Sequence, residues 1–196
     1  MGKKISVIPG DGIGPEIMKA TLKVLDALDV GLEYEYVNAG LVALEETGEL
    51  LPSETMESIE RNRVLLKGPL TTPVGKGFRS INVTLRKVFD LYANVRPVIS
   101  MPGTRSHFGD IDIVTVRENT QGAYLAADAQ ISEDGQKAES KMVVTREGCS
   151  RITHYAYELA RSAGRKKVTI VHKANILKHV SGMFLEVARE VAKEYP

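Results

Sequence analysis

Short apolar runs alternate with amphipathic stretches along this chain, and that alternation restricts the fold more than any other feature of the sequence. Lys4 to Pro9 reads as a strand closed by Gly10-Asp11-Gly12-Ile13-Gly14-Pro15, where glycines permit a tight turn and Pro15 suits a first helical turn. Ile17, Met18, Thr21, Leu22, Leu25 and Leu28 then fall on one helical stripe, and Leu32, Tyr34 and Tyr36 alternate with glutamates as a half-buried strand. Ser53 is expected to cap a helix through Arg61, followed by a buried strand at Val64-Leu65-Leu66 ending at Gly68. A helix is expected from about Ser80 to Phe89, then extended chain from Leu91 to Val98 and a strand from Ile111 to Val116. The small, polar, turn-rich stretch about 123–145, around Glu133-Asp134-Gly135, reads as a projecting hairpin. Ile152 to Ala163 marks a helix stopped by Gly164, Val168 to Val171 another strand, and Ser181 to Lys193 another helix. Strands alternating with helices predict an α/β fold with a twisted, largely parallel sheet. Pro97 and Pro102 bracket a change of element, which places a division between residues 1–98 and 99–196.

Charge and composition exclude several classes. The 26 basic and 25 acidic residues leave a net charge of +1, so no global field attracts nucleic acid or a membrane surface. No apolar run reaches the roughly 20 residues a bilayer span needs. The lone Cys149 permits no intrachain disulfide, which fits a reducing compartment: the cytoplasm, or the mitochondrial matrix in a eukaryote.

The chemistry must then be local. Gly10-Asp11-Gly12-Ile13-Gly14 lacks the spacing of a dinucleotide fingerprint, and Gly75-Lys76-Gly77 lacks both the upstream glycine and the following Ser or Thr of a phosphate loop. His154 and His172 stand apart, with no zinc-ligand spacing around them, and the acidic residues of 128–140 lack the pattern of a calcium loop. More informative is the run from Thr71 to Pro97. A helix opening at Ser80 offers a hydroxyl and free amides to an anion, and Asn82 and Arg86, four apart, share its face. Arg96 ends the next strand and Arg117 the one after. Three arginines at neighbouring element ends can clamp several carboxylates, each charge-assisted bond being worth roughly 1.5–3 kcal/mol. Taken singly, each arginine reads as a surface ion-pair partner, and spacing alone leaves the choice open.

Ile8-Pro9-Gly10-Asp11-Gly12-Ile13-Gly14-Pro15-Glu16, Arg117-Glu118-Asn119-Thr120 and Val171-His172-Lys173-Ala174-Asn175-Ile176 together resemble the β-decarboxylating isocitrate and isopropylmalate dehydrogenases, in the order and approximate spacing of that family. The resemblance implies an isopropylmalate dehydrogenase-like fold of two domains, incomplete in this chain. It gives Arg86, Arg96 and Arg117 the substrate carboxylates, and Ser80 and Asn82 the distal carboxylate peculiar to isocitrate. Thr72, Asn82 and Asn175 resemble residues at the nicotinamide end of the cofactor site, and Tyr124 and Lys173 the catalytic pair. The implied reaction is oxidative decarboxylation of isocitrate to 2-oxoglutarate. NAD is the expected cofactor, since the run 90–97 looks most like NAD-type members, with NADP the alternative. Mg²⁺ or Mn²⁺ is expected to take its aspartates from beyond residue 196, so no metal ligand is assigned in this chain. The hairpin looks like the clasp that joins two subunits, with Lys173 reaching into the neighbour's site. Isopropylmalate or homoisocitrate oxidation, or a non-catalytic subunit of an isocitrate dehydrogenase, are the competing expectations. Two departures stand out: Gln121 where the family has an acidic residue, and Leu125-Ala126-Ala127 where Gly-Ile-Glu is common.

Overall fold

The computed structural model of the 196-residue chain describes residues 2–71 and 80–196, apart from the side chains of 124–128. It comprises two compact units, Met1–Phe89 and Asp90–Pro196. The expected division after residue 98 lies inside a strand of the second unit.

The first unit is built on β1 (Lys3–Ile8), β2 (Leu32–Tyr36) and β3 (Leu65–Lys67), a parallel sheet in the order β2-β1-β3. Parallel neighbours need crossovers. These are α1 (Gly14–Ala27) between β1 and β2, and α2 (Leu41–Thr47) with α3 (Ser53–Asn62) between β2 and β3. The two-residue period of β1 sends its side chains to opposite layers. Ile5 and Val7 pack with Met18 and Leu22 of α1, while Ile8 packs with Ile59 of α3 and with Ile81 and Leu85 of α4 (Ile81–Val88). Ser6, on the Ile8 face and fully buried, shares a 2.7 Å hydroxyl contact with Ser58 of α3 and accepts a 2.9 Å bond from the Asn62 amide. Burying hydroxyls is tolerable only with such partners.

Two expectations change here. Pro52, not Ser53, is the N-cap of α3, and no side chain caps that helix; Ser53 is already its first helical residue. The strand expected at Val64-Leu65-Leu66 is Leu65–Lys67 and only half-buried. Helix α2 was not anticipated: it follows Gly40, whose φ of 84° lies outside what a pattern of apolar residues records.

The second unit contains β4 (Ala93–Ile99) antiparallel to β5 (Asp112–Glu118), and β6 (Gly122–Ile131) antiparallel to β7 (Ala138–Val143). α5 (Arg146–Ser162) and α6 (Val180–Ala192) join through Cys149, Val187 and Val191. Gly164, at φ 63°, ends α5 as expected: Arg165 N–H bonds the Ala160 carbonyl and Gly164 N–H that of Arg161, the paired bonds of a Schellman stop. The hairpin tip is held by Ser132 and Lys137 and by Gly135 at φ 69°. There Asp134 accepts from the Ser132 hydroxyl and the Gln136 amide, bonds that hold its carboxyl below the usual range.

Val168–Val171 belongs to no ladder, contrary to expectation. A strand needs a neighbour as well as β-branched residues. This segment instead lines one cleft of about 1080 Å³ together with β5 and α5. Among the described residues, no helix is long and apolar enough to cross a membrane.

Candidate functional site

In the first unit the C-terminal ends of parallel β1 and β3 meet, the place where α/β sheets gather ligands. Gly10, at φ 88°, lets the β1–α1 turn lie against the chain leaving β3: a Cβ there would stand 2.2 Å from the Pro69 carbonyl oxygen. Asp11 turns inward and is buried. Its carboxylate accepts the backbone N–H of Leu41 and Val42 at the start of α2 (3.2–3.4 Å) and of Thr71 at 2.8 Å. The loop's own aspartate therefore takes the donors that a phosphate would use. Thr71 is the last described residue before 72–79, so Thr72 lies outside the described residues.

Ser80 is the N-cap of α4, with its side chain unused in capping; Ile81 and Leu85 bury one face and leave Asn82 and Arg86 half-buried. Asn82 and Arg86 thus share α4, with Ser80 flanking it at the N-cap. Beside them is a cation that sequence reasoning missed. Lys67, at the end of β3, donates a 3.0 Å bond to the Gly68 carbonyl, and burial, then the charge of Arg86, lower its ammonium pKa. Two positive groups sharing this strand end suit an anion.

In the second unit the ladder pairs Asn94 with Arg117 and Arg96 with Thr115. Directly opposed residues and their i±2 neighbours share a face, so Asn94, Arg96, Thr115 and Arg117 form one polar patch with the two arginines diagonal to each other. Arg96 Nε donates to Asn94 Oδ1 at 3.1 Å. Val114 and Val116 point the other way and are less exposed.

Beyond Arg117 the chain turns on Glu118. Its carboxylate accepts from the amide and hydroxyl of Thr120 and from the amide of Gln121, at 2.5–3.0 Å. Arg151 of α5 donates to Thr120 Oγ1 and to Asp90, and its guanidinium lies 4.5 Å from the Tyr92 ring centre. Glu118 and Arg151 thereby fix where β6 begins, and β6 carries Tyr124, whose side chain lies outside the described residues. Lys173 and Asn175 are exposed in the turn before α6. The Lys173 amide donates to Ser181 Oγ at 2.7 Å, and its carbonyl accepts from Ile176 and Leu177. Among the described residues, no group of three or more His, Cys, Asp or Glu is placed to hold a metal ion.

Gln121 has a physical account. Its amide nitrogen donates to Thr145 Oγ1 and its amide oxygen accepts from Thr145 N, both at 2.9 Å, while Thr145 caps α5 by accepting from Gly148 N. Both halves of the amide are used. Gln121→Glu is expected to cost about 1 kcal/mol through this capping network. Urea unfolding of the two proteins checks it, and an unchanged midpoint would refute it.

The family model for isocitrate/isopropylmalate dehydrogenase matches residues 4–196, and the chain belongs to that family, whose reaction class is decarboxylating dehydrogenation. The crystal structure of isocitrate dehydrogenase from Methylococcus capsulatus superposes with a TM-score of 0.93 at 55% identity, covering 100% of this chain and 58% of that one. The probable mitochondrial isocitrate dehydrogenase [NAD] subunit alpha of Drosophila melanogaster is 45% identical over 99% of this chain and 51% of its own length. The chloroplastic 3-isopropylmalate dehydrogenase of Solanum tuberosum is 42% identical over 98% of this chain and 54% of its own. The chain therefore spans about half the length of the curated relatives it matches. The expected α/β, isopropylmalate dehydrogenase-like fold is the one found.

Proposed function

We propose that this chain supplies the carboxylate clamp and the proton-transfer groups of an NAD-dependent decarboxylating isocitrate dehydrogenase, acting with polypeptide beyond its own 196 residues. The observation that carries this is the β4–β5 ribbon, which sets Arg96 and Arg117 diagonally on one face beside Asn94. Guanidinium groups so spaced fit adjacent carboxylates of a small polycarboxylate through bidentate bonds. Ser80, Asn82 and Arg86 on α4 supply a second polar set, with Ser80 and Asn82 reading the carboxylate that isopropylmalate lacks.

Arg86, Arg96 and Arg117 hold the substrate's carboxylates. Tyr124 and Lys173 move protons: one is taken from the carbinol hydroxyl as hydride leaves the same carbon, and one is returned to carbon after carbon dioxide departs. NAD would supply the hydride acceptor, and Thr72, Asn82 and Asn175 would hold its nicotinamide end. No group of described His, Cys, Asp or Glu side chains fits a divalent ion. The exposed hairpin β6–β7 joins two subunits, and Lys173, exposed at its turn, serves the neighbour's site.

Kinetics of the active assembly containing this chain test the substrate. kcat/KM is expected to favour isocitrate over isopropylmalate by at least about 10⁴-fold, the scale on which a site built for a polar group rejects an analogue lacking it. Equal efficiency on isopropylmalate would move the reading to that substrate.

A further inference from the structure

On the reading of the β4–β5 ribbon as a carboxylate clamp, we propose that Asn94 is a positioning residue. Its neutral amide turns Arg96 so that both Nη groups face the substrate, and an acid in its place would close the clamp on itself.

The ribbon sorts its charges by face. Side chains alternate along each strand, so the register puts Asn94, Arg96 and Val98 of β4 on one side with Ile113, Thr115 and Arg117 of β5. Both basic residues of the ribbon are on that side, and both acids, Asp112 and Glu118, are on the other. Each acid is occupied where it stands. Asp112 accepts from Arg165 at 2.6 Å, and Glu118 accepts from the amides and the hydroxyl of the turn that follows it. The arginine side therefore receives no carboxylate from β4 or β5, and the acceptor that β4 supplies to Arg96 is an amide.

This arrangement has two effects. A guanidinium carries its N–H donors in one plane, on Nε and on both Nη atoms. With Nε–H donated to Asn94 Oδ1 at 3.1 Å, the edge made by the two Nη groups is the one left whole for bidentate contact with a carboxylate. Arg96 is exposed, and tethering its Nε holds a long side chain that would otherwise wander among rotamers. An amide does this without cancelling the charge. A carboxylate at position 94 would hold the same nitrogen through a charge-assisted bond about twice as strong, and it would stand directly opposite Arg117 as well. It would take the substrate's place between the two arginines.

Kinetics of the active assembly test this in two backgrounds, wild type and Arg96→Ala, with thermal midpoints read alongside. Asn94→Ala is expected to raise KM for isocitrate about fivefold with kcat within about twofold, the pattern of lost binding that ground state and transition state share. Asn94→Asp, although nearly isosteric, is expected to raise KM at least about 50-fold. In the Arg96→Ala background, Asn94→Ala is expected to change KM by less than about twofold, because its action runs through Arg96. Asn94→Val, which suits a strand and also lacks the acceptor, repeats the test should the alanine variant unfold. An unchanged KM without the acceptor, a smaller rise for Asn94→Asp than for Asn94→Ala, or the same fold-change in both backgrounds would each overturn the proposal. Preference of the assembly for isopropylmalate would overturn the substrate reading instead, and the role of Asn94 would stand or fall on the same comparisons made with that dicarboxylate.

Discussion

Lys173→Met is expected to lower kcat of the active assembly about 10²–10⁴-fold while leaving KM for isocitrate within a few fold, because the variant removes a proton carrier and little else. The backbone at this position is held independently of the side chain, by the Lys173 amide on Ser181 and the Lys173 carbonyl on Ile176 and Leu177. Methionine keeps the length of the chain and loses the amine. Lys173→Arg separates two roles that a lysine can play. A guanidinium stays charged at all accessible pH, so it replaces a point charge but cannot give and take a proton. If arginine restores the rate, Lys173 acts electrostatically. If neither variant lowers kcat tenfold, the residue has no part in the chemistry.

Gly68→Ala is expected to destabilise the first unit by at least about 3 kcal/mol, the combined scale of overpacking and of the backbone bonds it disturbs. A Cβ at Gly68 would meet the Pro9 carbonyl oxygen at 2.0 Å and the Pro9 carbonyl carbon at 3.0 Å. These are backbone atoms and cannot rotate aside. Relief requires parting the ends of β1 and β3, where Gly68 N–H bonds the Ile8 carbonyl and Asp11 N–H that of Pro69, each at 2.8 Å. Gly182→Ala is the control: nothing lies within 4 Å of its Cβ, and alanine in helix α6 is expected to raise stability by about 0.5–1 kcal/mol. Guanidinium unfolding of both variants decides the matter, and equal midpoints would show that the strand ends yield more readily than their contacts suggest.

The sequence announced what local patterns can announce. The β1 run, its glycine turn and the Met18–Leu22 stripe are periodicities of two and near 3.6 within thirty residues, and each became the expected element. Gly164 and Gly135 sat where helix stop and hairpin turn require positive φ. The diagonal placement of Arg96 and Arg117 on one face needed the β4–β5 register, which no spacing along the chain supplies. Asp11 was passed over because its partners lie 30 and 60 residues away. Glu118 and Arg151 were missed for the same reason: a charged pair 3.9 Å apart between β5 and α5 looks like surface charge until the fold joins it. Val168–Val171 erred in the other direction, since β-branched residues advertise a strand whether or not a neighbour is there to complete it.

The hydroxyl of Ser6 has a consequence for how the first unit avoids assembling wrongly. The buried part of β1, residues 5–8, is apolar apart from Ser6, and Ile5, Val7 and Ile8 by themselves would accept a pairing slipped by one residue at small cost. A slip exchanges the two faces. It would carry Ser6 among Met18 and Leu22, where no donor or acceptor waits, and set Val7 against Ser58 and Asn62, which would lose the Ser6 hydroxyl and keep each other, with Glu35 still accepting from Asn62. A stranded hydroxyl costs about 1–3 kcal/mol. One small polar residue among the buried apolar side chains of β1 thus works as a notch that only the correct alignment can seat, and it discriminates against the wrong fold more than it strengthens the right one.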